Sequence, residues 1–279
     1  MKTLIMHSQD LLMAKELSAT LKGDLEQRTR HFRIHTNNKF NINQLRLTHK
    51  VDLNLLNEEF NFSKVRLLVS DMDSTLITIE TIDEIAKATG MSNEVASITE
   101  QAMLGNLDFT ESFKKRVSIL KGVNTATFET VYNNHLKLNP GALKLINFFK
   151  SIQVKSAVVS GGLSYFAERL HRQLGIDTFR ANNVEISNNH LTGKVLGKVI
   201  DASEKANYVN ELCNLYHLER NQVIAIGDGA NDLKMMKIAG LSVAYHAKPI
   251  VQKNCDIVIN HSGLDSVIDF FDNVSLFNS

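Results

Sequence analysis

The segment VRLLVSDMDST at residues 65–75 constrains this chain more than any other, because an apolar run ends abruptly in two carboxylates. An apolar run of this length predicts a short buried strand. Asp71 and Asp73 then follow the carboxyl end of that strand, which is where ligands bind in open α/β sheets. We therefore expect a charged site at this edge of a sheet.

Composition favours a folded protein and gives no sign of a large charged partner such as nucleic acid or a membrane. The chain has 279 residues, 43% of them hydrophobic, so one large or two modest domains are expected. The 31 basic residues nearly balance the 30 acidic ones, which gives no reason to expect nucleic acid or a membrane as a partner. No secretory signal or membrane-spanning stretch is evident, and Cys213 and Cys255 are typical of unpaired thiols, so a cytoplasmic location is expected.

Residues 1–62 are predicted to form a small α+β domain. Residues 3–6 and 31–35 favour strands and residues 10–21 favour a helix, whereas 45–60 is ambiguous. Scattered histidines in such segments are more often structural or solvated than metal ligands, and this applies to His7, His31, His35 and His49. A regulatory, dimerising or structural role is expected for this domain. If the role is dimerisation, the chain would form a homodimer through it.

Residues 63–279 alternate between strand and helix patterns, which predicts the α/β class with a mostly parallel sheet covered on both faces. Between about residues 78 and 138 the periodicity is helical only, so a helical insert is expected directly after the first strand. Further along, the pattern predicts strands at 154–160, 223–227, 241–245 and 256–259, a hairpin at 180–199, and helices at 142–150, 165–174, 203–216, 232–239 and 264–271.

Polar motifs fall at the element boundaries of this region. After Asp71 and Asp73 come SGG at 160–162, Lys205 near a helix start, and GDGAND at 227–232. In a parallel sheet the carboxylates at the strand ends converge, and their mutual repulsion requires a cation. Carboxylate oxygens without nearby cysteine or histidine favour Mg²⁺.

These motifs, in this order, resemble those of the haloacid dehalogenase (HAD) superfamily of phosphatases over about residues 65–270. The resemblance implies a Rossmann-like core with a helical cap of the C1 type. It implies that Asp71 is the nucleophile, which forms an aspartyl-phosphate. Asp73 would be the general acid that protonates the leaving alkoxide and then activates water. A turn or a helix cap would explain one of these aspartates but not the whole set of motifs.

The resemblance also implies how phosphate and metal are held. Ser160 and Gly161 would bind the phosphoryl group and Lys205 would offset its charge, with Lys198 as the weaker candidate for that lysine. Asp71, the Asp73 backbone carbonyl and Asp228 would ligate Mg²⁺. Asn231 would contact substrate and Asp232 would support either the metal ligands or Lys205, although helix capping by Asn231 or Asp232 stays open.

The insert is expected to select the substrate and to act as a lid. The resemblance implies Mg²⁺-dependent hydrolysis of O-phospho-L-serine, the last step of L-serine biosynthesis. Glu80 would pair with the ammonium and Arg116, or its neighbour Lys115, with the carboxylate. Met103 and Phe109 would wall the pocket or simply pack in the core.

Two alternatives remain at this stage. One keeps the chemistry but changes the substrate to another small phosphomonoester, or transfers the phosphoryl group to an acceptor such as homoserine. The other is a phospho-receiver signalling module, which also combines a strand-end aspartate, Mg²⁺ and a lysine. A receiver needs neither a second carboxylate at Asp73 nor a helical insert, and both features argue against it.

Overall fold

A computed structural model of the chain describes residues 1–271. The predicted phosphatase domain of 63–279 therefore extends beyond the described residues, since 272–279 lie outside them. The strands form two sheets, one of four strands and one of seven. No helix within residues 1–271 is both long and apolar enough to cross a membrane.

The four-stranded sheet lies in the N-terminal region, is antiparallel, and has the order β2-β3-β1-β4. Its elements are β1 (Lys2–Met6), α1 (Leu11–Leu21), β2 (Asp24–Gln27), β3 (Phe32–Thr36), α2 (Ile42–Thr48) and β4 (Leu53–Leu55). The predicted strands at 3–6 and 31–35 and the helix at 10–21 are confirmed. Strands β2 and β4 were not predicted, and the ambiguous stretch holds part of α2 together with β4.

Strand β1 contacts two different apolar clusters through its alternating side chains. Leu4 and Met6 pack with Leu17 of α1 in a cluster that belongs to the N-terminal region. Ile5 is fully buried in the large cluster that also contains residues of the seven-stranded sheet and the helical insert. Because successive strand residues face opposite ways, β1 joins the N-terminal sheet to the rest of the molecule.

A buried ionic cluster strengthens this junction. Asp269 accepts a hydrogen bond from His7 Nδ1 at 2.8 Å, and it lies 3.5 Å from His31 Nδ1 and 3.4 Å from Arg30 Nε. Arg30 also donates to Asp265 at 2.7 Å. Buried charges are costly unless paired and hydrogen-bonded, so this cluster fixes how the N-terminal sheet is oriented.

Replacing Asp269 with asparagine is expected to lower the free energy of unfolding by about 2–3 kcal/mol at neutral pH, because its buried partners lose a charged acceptor. Burial acts to raise the pKa of Asp269, but hydrogen bonds from His31 and His7 outweigh it and hold the pKa well below 3.8. A lowered carboxyl pKa stabilises the folded chain above the unfolded-state value and loses that effect as pH falls. Urea unfolding should therefore show a full difference between wild type and variant at pH 7 and a shrinking one below about pH 4.

Asp24→Asn, on an exposed edge strand, is the matched control and should leave stability within about 0.5 kcal/mol. An Asp269→Asn variant as stable as this control at pH 7 would show that the ionic cluster contributes nothing.

Two further side chains connect β4 to the seven-stranded sheet. Asn54 is fully buried; its amide donates to the Val258 carbonyl at 2.9 Å and its oxygen accepts from the Val258 N–H at 2.9 Å. Asp52 accepts from the backbone N–H groups of residues 260, 261 and 262 at 2.7, 3.0 and 2.8 Å. The backbone at this edge is therefore hydrogen-bonded by side chains of the N-terminal region.

The seven-stranded sheet has the order β11-β10-β9-β5-β6-β7-β8 and is parallel except for the β7–β8 hairpin. This confirms the predicted α/β class. Its strands are β5 (Leu67–Ser70), β6 (Lys155–Leu163), β7 (Thr178–Ser187), β8 (His190–Leu196), β9 (Val223–Gly227), β10 (Leu241–Tyr245) and β11 (Ile257–Ile259).

Helices cover both faces of this sheet. Leu68 of β5 faces the cluster that contains α7 (Ala142–Ser151) and α8 (Ser164–Leu174). Leu67 and Val69 face the opposite cluster, formed with helices α9 (Ala202–Leu215) and α10 (Leu233–Ile238). Strands buried on both faces read as continuous apolar runs, which is why 65–69 and 223–227 were identifiable in the sequence. A short α11 (Pro249–Gln252) precedes β11.

The helical insert lies between β5 and α7. It contains α3 (Thr81–Thr89), α4 (Ser92–Met103), α5 (Phe109–Ile119) and α6 (Ala126–Asn134). Its two connections to the core run side by side, with the Thr78 N–H donating to the Lys137 carbonyl at 2.9 Å and an isolated bridge between Ile77 and Leu138. The helical insert expected at about 78–138 is therefore present, and the segments that enter and leave it are hydrogen-bonded to each other.

Two local predictions were wrong. Strand β6 was expected to stop at Ser160, but it continues through the two glycines to Leu163, with a register irregularity against β7. Glycines without side chains let this segment stay extended while it bends beside the site. The final helix, expected at 264–271, is a 3₁₀ helix at Leu264–Phe270.

Candidate active site

Asp71 is held rigidly at the end of the central strand β5. Its N–H donates to the Ile226 carbonyl at 3.0 Å, which continues the pairing of β5 with β9. Its side chain is buried, and Oδ1 accepts from the Met72 N–H at 2.8 Å and from Lys205 Nζ at 2.8 Å. Both contacts fall on Oδ1, so within residues 1–271 Oδ2 is the oxygen without a hydrogen bond and can meet a ligand.

Lys205 is the counter-charge of two carboxylates. Its side chain is completely buried near the start of α9, and Nζ lies 2.8 Å from Asp71 Oδ1 and 2.6 Å from Asp232 Oδ1. Burial acts to lower the pKa of Lys205, but Asp232 and Asp71 outweigh it and raise the pKa above its usual value. Lys205 is therefore a permanent ammonium.

The loop after β9 brings two further aspartates to the same place. Asp232 Oδ2 accepts from the Gly229 N–H at 3.0 Å, and a Cβ on residue 227 would lie 2.4 Å from Asp232 Oδ2. Glycine at 227 is therefore required for the close approach of the carboxylate. Asp228 accepts from Thr75 Oγ1 at 3.1 Å, so it faces the loop that follows Asp71.

Asp71, Asp228 and Asp232 form a cluster that could hold a metal ion, with one carboxylate oxygen of each lying within 4.8 Å of the others. Burial, together with Asp232 and Glu80, raises the pKa of Asp228 to about 6. Burial and Asp232 likewise raise the pKa of Asp71, against the opposing effect of Lys205. Crowded carboxylates of this kind fit a hard divalent cation.

Asp232 is already engaged by Lys205 and by the Gly229 N–H. Asp232 thus contacts Lys205 and also belongs to the carboxylate cluster, and its contact with the Gly229 N–H caps the 3₁₀ helix Ala230–Asp232. The side chain of Asp73 lies outside the three-carboxylate cluster, which leaves its backbone carbonyl as the predicted ligand.

Asp73 lies in a setting that favours its protonated form. It is buried, and its two oxygens accept from the Thr81 N–H and the Thr81 hydroxyl, each at 3.3 Å. Burial, followed by the charge of Glu80, raises the pKa of Asp73 well above its usual value. A raised pKa favours the protonated carboxyl group that a general acid requires.

The two glycines after Ser160 leave room for side chains of the site. A Cβ on residue 162 would lie 2.2 Å from Asp73 Oδ2, and one on residue 161 would lie 2.6 Å from the ring of Phe109. The Gly162 N–H donates to Ser160 Oγ at 2.9 Å, and Asn182 donates to the Gly161 carbonyl at 2.8 Å. Any side chain at 161 or 162 would therefore collide with the groups that line the site.

A cleft of about 600 Å³ connects these groups to the helical insert. The predicted residues that line it share a position between the strand ends and α3–α5, and they are Asp71, Asp73, Glu80, Met103, Phe109, Arg116, Ser160, Gly161, Asp228 and Asn231. Lys205 and Asp232 lie behind Asp71 as its buried support.

The structure separates the alternatives that the sequence left open. Lys115 is exposed and is not among the residues lining the cleft, whereas Arg116 lines it. Lys198 is 74% exposed and pairs with Glu204, so it does not replace Lys205. Met103 is 71% exposed at the rim of the cleft, which fits a wall of the cleft better than core packing. Phe109 is half-buried and stacks on Phe113.

Asp83 and Asn182 are among the residues of the site that sequence reasoning missed. Asp83 lines the cleft, and its buried Oδ1 has no hydrogen-bond partner within residues 1–271. Asn182 is buried and holds both the Gly161 carbonyl and the Ile200 N–H, at 2.8 Å each. Asp83 carried one usable signal, since it is an acid one helical turn from Glu80, but Asn182 carried none.

The chain belongs to the haloacid dehalogenase-like hydrolases, whose family model matches residues 68–237. A phosphoserine phosphatase from a Polaromonas species is 45% identical over 222 residues, which cover 78% of this chain and 94% of that protein. The unliganded crystal structure of a probable phosphoserine phosphatase from Vibrio cholerae has a TM-score of 0.84 at 34% identity, covering 96% of this chain and 85% of that one.

A substrate-bound phosphoserine phosphatase complex has a TM-score of 0.69 at 35% identity and covers 74% of this chain and 98% of that one. The fold and the family therefore define a hydrolase of the phosphatase kind.

Proposed function

We propose that the chain hydrolyses O-phospho-L-serine to L-serine and phosphate, through an aspartyl-phosphate on Asp71 and with Mg²⁺ as cofactor. The observation that carries this proposal is the charge arrangement in the cleft. Anionic Glu80 and cationic Arg116 line the same cleft as Asp71. The cleft can therefore bind one small molecule that carries an ammonium, a carboxylate and a phosphate group.

Arg116 is available to a ligand. Its Nε is buried yet lacks a hydrogen-bond partner in the part of the chain that is described. Burial lowers the pKa of Arg116, and Asp83 and Glu80 oppose that shift. A guanidinium remains charged in proteins and binds a carboxylate through two parallel hydrogen bonds. An arginine whose buried Nε has no hydrogen-bond partner within residues 1–271 therefore supports recognition of a substrate carboxylate.

The first chemical step follows from the positions of two aspartates. Asp71 attacks the phosphorus with a carboxylate oxygen, and the bond between phosphorus and the serine oxygen breaks. Asp73 gives its proton to that oxygen, so serine leaves as the alcohol. Lys205 holds Asp71 by one oxygen at 2.8 Å, which fixes the attacking group in place.

The second step releases phosphate. Asp73, now a carboxylate, takes a proton from water, and the resulting hydroxide attacks phosphorus as the aspartyl bond breaks. Ser160 and Gly161 bind the phosphoryl oxygens in this step. Asp71, Asp228 and the Asp73 carbonyl would hold Mg²⁺, which offsets charge on the phosphoryl group when it is bound.

A phosphate-release assay tests both the substrate and the metal. Wild type should release phosphate from O-phospho-L-serine faster than from phosphothreonine or sugar phosphates, and EDTA should abolish the reaction until Mg²⁺ is restored. Activity that is unchanged by EDTA would overturn the metal proposal. Equal rates on all the phosphomonoesters would overturn the proposed substrate.

Removing either cleft charge should change specificity more than chemistry. Glu80→Ala and Arg116→Ala are each expected to lower kcat/KM for O-phospho-L-serine by about 10²-fold, which corresponds to the loss of one charged contact, about 2–3 kcal/mol. Activity on an aryl phosphate, which has neither group, should fall less than about threefold. Lys115→Ala is the matched control for Arg116, and equal losses on both substrates would contradict this specificity role.

Two further properties are proposed with this function. A cytoplasmic location fits the unpaired thiols Cys213 and Cys255. A separate N-terminal domain of residues 1–62 is supported by its own sheet and apolar cluster. Dimerisation through it remains a prediction, which fits the exposure of Leu12 and Leu47, and sedimentation of the full chain would test it.

A further inference from the structure

Ser74, the residue after Asp73, has a backbone conformation that serine rarely adopts. Its φ is +56°, in the left-handed region that favours glycine. The loop is held there firmly: the Ser74 N–H donates to the Ile79 carbonyl at 3.2 Å, and Asn139 donates to the carbonyls of Thr75 and Ile77 at 2.8 and 3.0 Å. Glycine would fit this backbone with less strain, so the serine side chain needs another explanation.

The serine hydroxyl is hydrogen-bonded to Glu80, with Ser74 Oγ donating to Glu80 Oε1 at 2.6 Å. Glu80 is exposed and precedes α3, where its side chain makes no capping hydrogen bond. A residue in a sparsely populated backbone region costs about 1–3 kcal/mol and persists only where the surrounding structure over-determines it, and such residues cluster at functional sites.

We propose that Ser74 is a positioning residue for ammonium recognition: it holds the Glu80 carboxylate where the substrate ammonium binds. This inference rests on the proposed function, because it takes Glu80 as the ammonium partner. A glutamate loses rotamer freedom when it binds a ligand, and a carboxylate already held by a hydroxyl loses less. Ser74 thus acts on affinity for the amino group and not on phosphoryl transfer.

The test compares two substrates that differ only in the ammonium group. These are O-phospho-L-serine and 3-phosphonooxypropanoate, which lacks the amine. Ser74→Gly should lower kcat/KM for O-phospho-L-serine by about tenfold, mainly through KM, since it loses one hydrogen bond to a charged group. The variant should hydrolyse the amine-free substrate as wild type does. Its Tm should equal or exceed that of wild type, because glycine suits the left-handed backbone.

Two further variants at position 74 and one double variant test the role of the hydroxyl. Ser74→Asn, which tolerates positive φ and carries an amide donor, should recover part of the loss, whereas Ser74→Ala should not. In a Glu80→Ala background, Ser74→Gly should cause no further loss on either substrate. Equal losses on both substrates, or additive losses in the double variant, would mean that Ser74 only shapes the loop and would overturn the proposal.

Wild type that shows no preference for O-phospho-L-serine over the amine-free substrate would overturn both this inference and the proposed function. Wild type that prefers O-phospho-L-serine, with Ser74→Gly keeping the whole preference, would overturn the role of Ser74 alone.

Discussion

Asp71→Asn is expected to reduce turnover of O-phospho-L-serine by at least about 10⁴-fold, because an amide cannot form the acyl-phosphate intermediate. The asparagine side chain has the same size and can keep its contact with the Met72 N–H, which now reaches Asp71 Oδ1 at 2.8 Å. The change therefore removes the nucleophile with little rearrangement. Phosphate release gives the rate, and acid quenching with ³²P-labelled substrate should trap label on wild type and none on the variant.

Asp177→Asn is a matched control for this experiment. Asp177 accepts from the Ser156 N–H at 2.9 Å and directly precedes β7. It therefore lies at the amino ends of the strands, whereas the site lies at their carboxyl ends. Its replacement should affect stability but leave turnover within about threefold. Substantial turnover by Asp71→Asn, or label still trapped on it, would show that another residue is the nucleophile.

Lys205→Met should have the largest effect on stability, about 3–5 kcal/mol, because it leaves two buried carboxylates without a counter-charge. Lys205 Nζ lies 2.8 Å from Asp71 and 2.6 Å from Asp232, and all three side chains are buried. Activity should also fall, by about 10²–10³-fold, since the ammonium stabilises charge at the reacting centre. Urea unfolding and phosphate release measure the two effects separately.

Two variants separate charge from packing at this position. Lys198→Met removes an exposed lysine that is paired with Glu204, and it should cost less than about 1 kcal/mol. Adding Asp232→Asn to Lys205→Met should restore part of the stability, because one buried charge is gone, but it should restore no activity. If Lys205→Met is no more costly than Lys198→Met, the buried ammonium does not balance the carboxylates as described.

The fold of the phosphatase region was predictable because its central strands are locally apolar on both faces. The strands that were missed lack that signal. Strand β2 has the sequence DLEQ and lies at a sheet edge, where polar side chains face water, and β4 has only three residues. Edge strands of this kind carry little hydrophobic pattern, so pairing with a distant neighbour decides their structure.

In the candidate site, too, the predictable residues were those with a local signal in the sequence. Motif residues such as Asp71 and Asp228 were identified because their types and order carry meaning within a short stretch. The 27-residue separation between Lys205 and Asp232 hides their contact in the sequence. Ser74 was read only as part of a motif, since nothing in the letters DMDST reveals a positive φ or a bond to Glu80.

The paired hydrogen bonds between Asn54 and Val258 have a consequence for the behaviour of the chain in concentrated solution. Strand β11 is the outermost strand on its side of the seven-stranded sheet, and outermost strands offer unpaired N–H and C=O groups to other molecules. Asn54 occupies one N–H and one carbonyl of that strand, and Asp52 occupies the N–H groups that follow it. The N-terminal region thereby blocks edge-to-edge aggregation at β11, a protective role that requires neither a ligand nor catalysis.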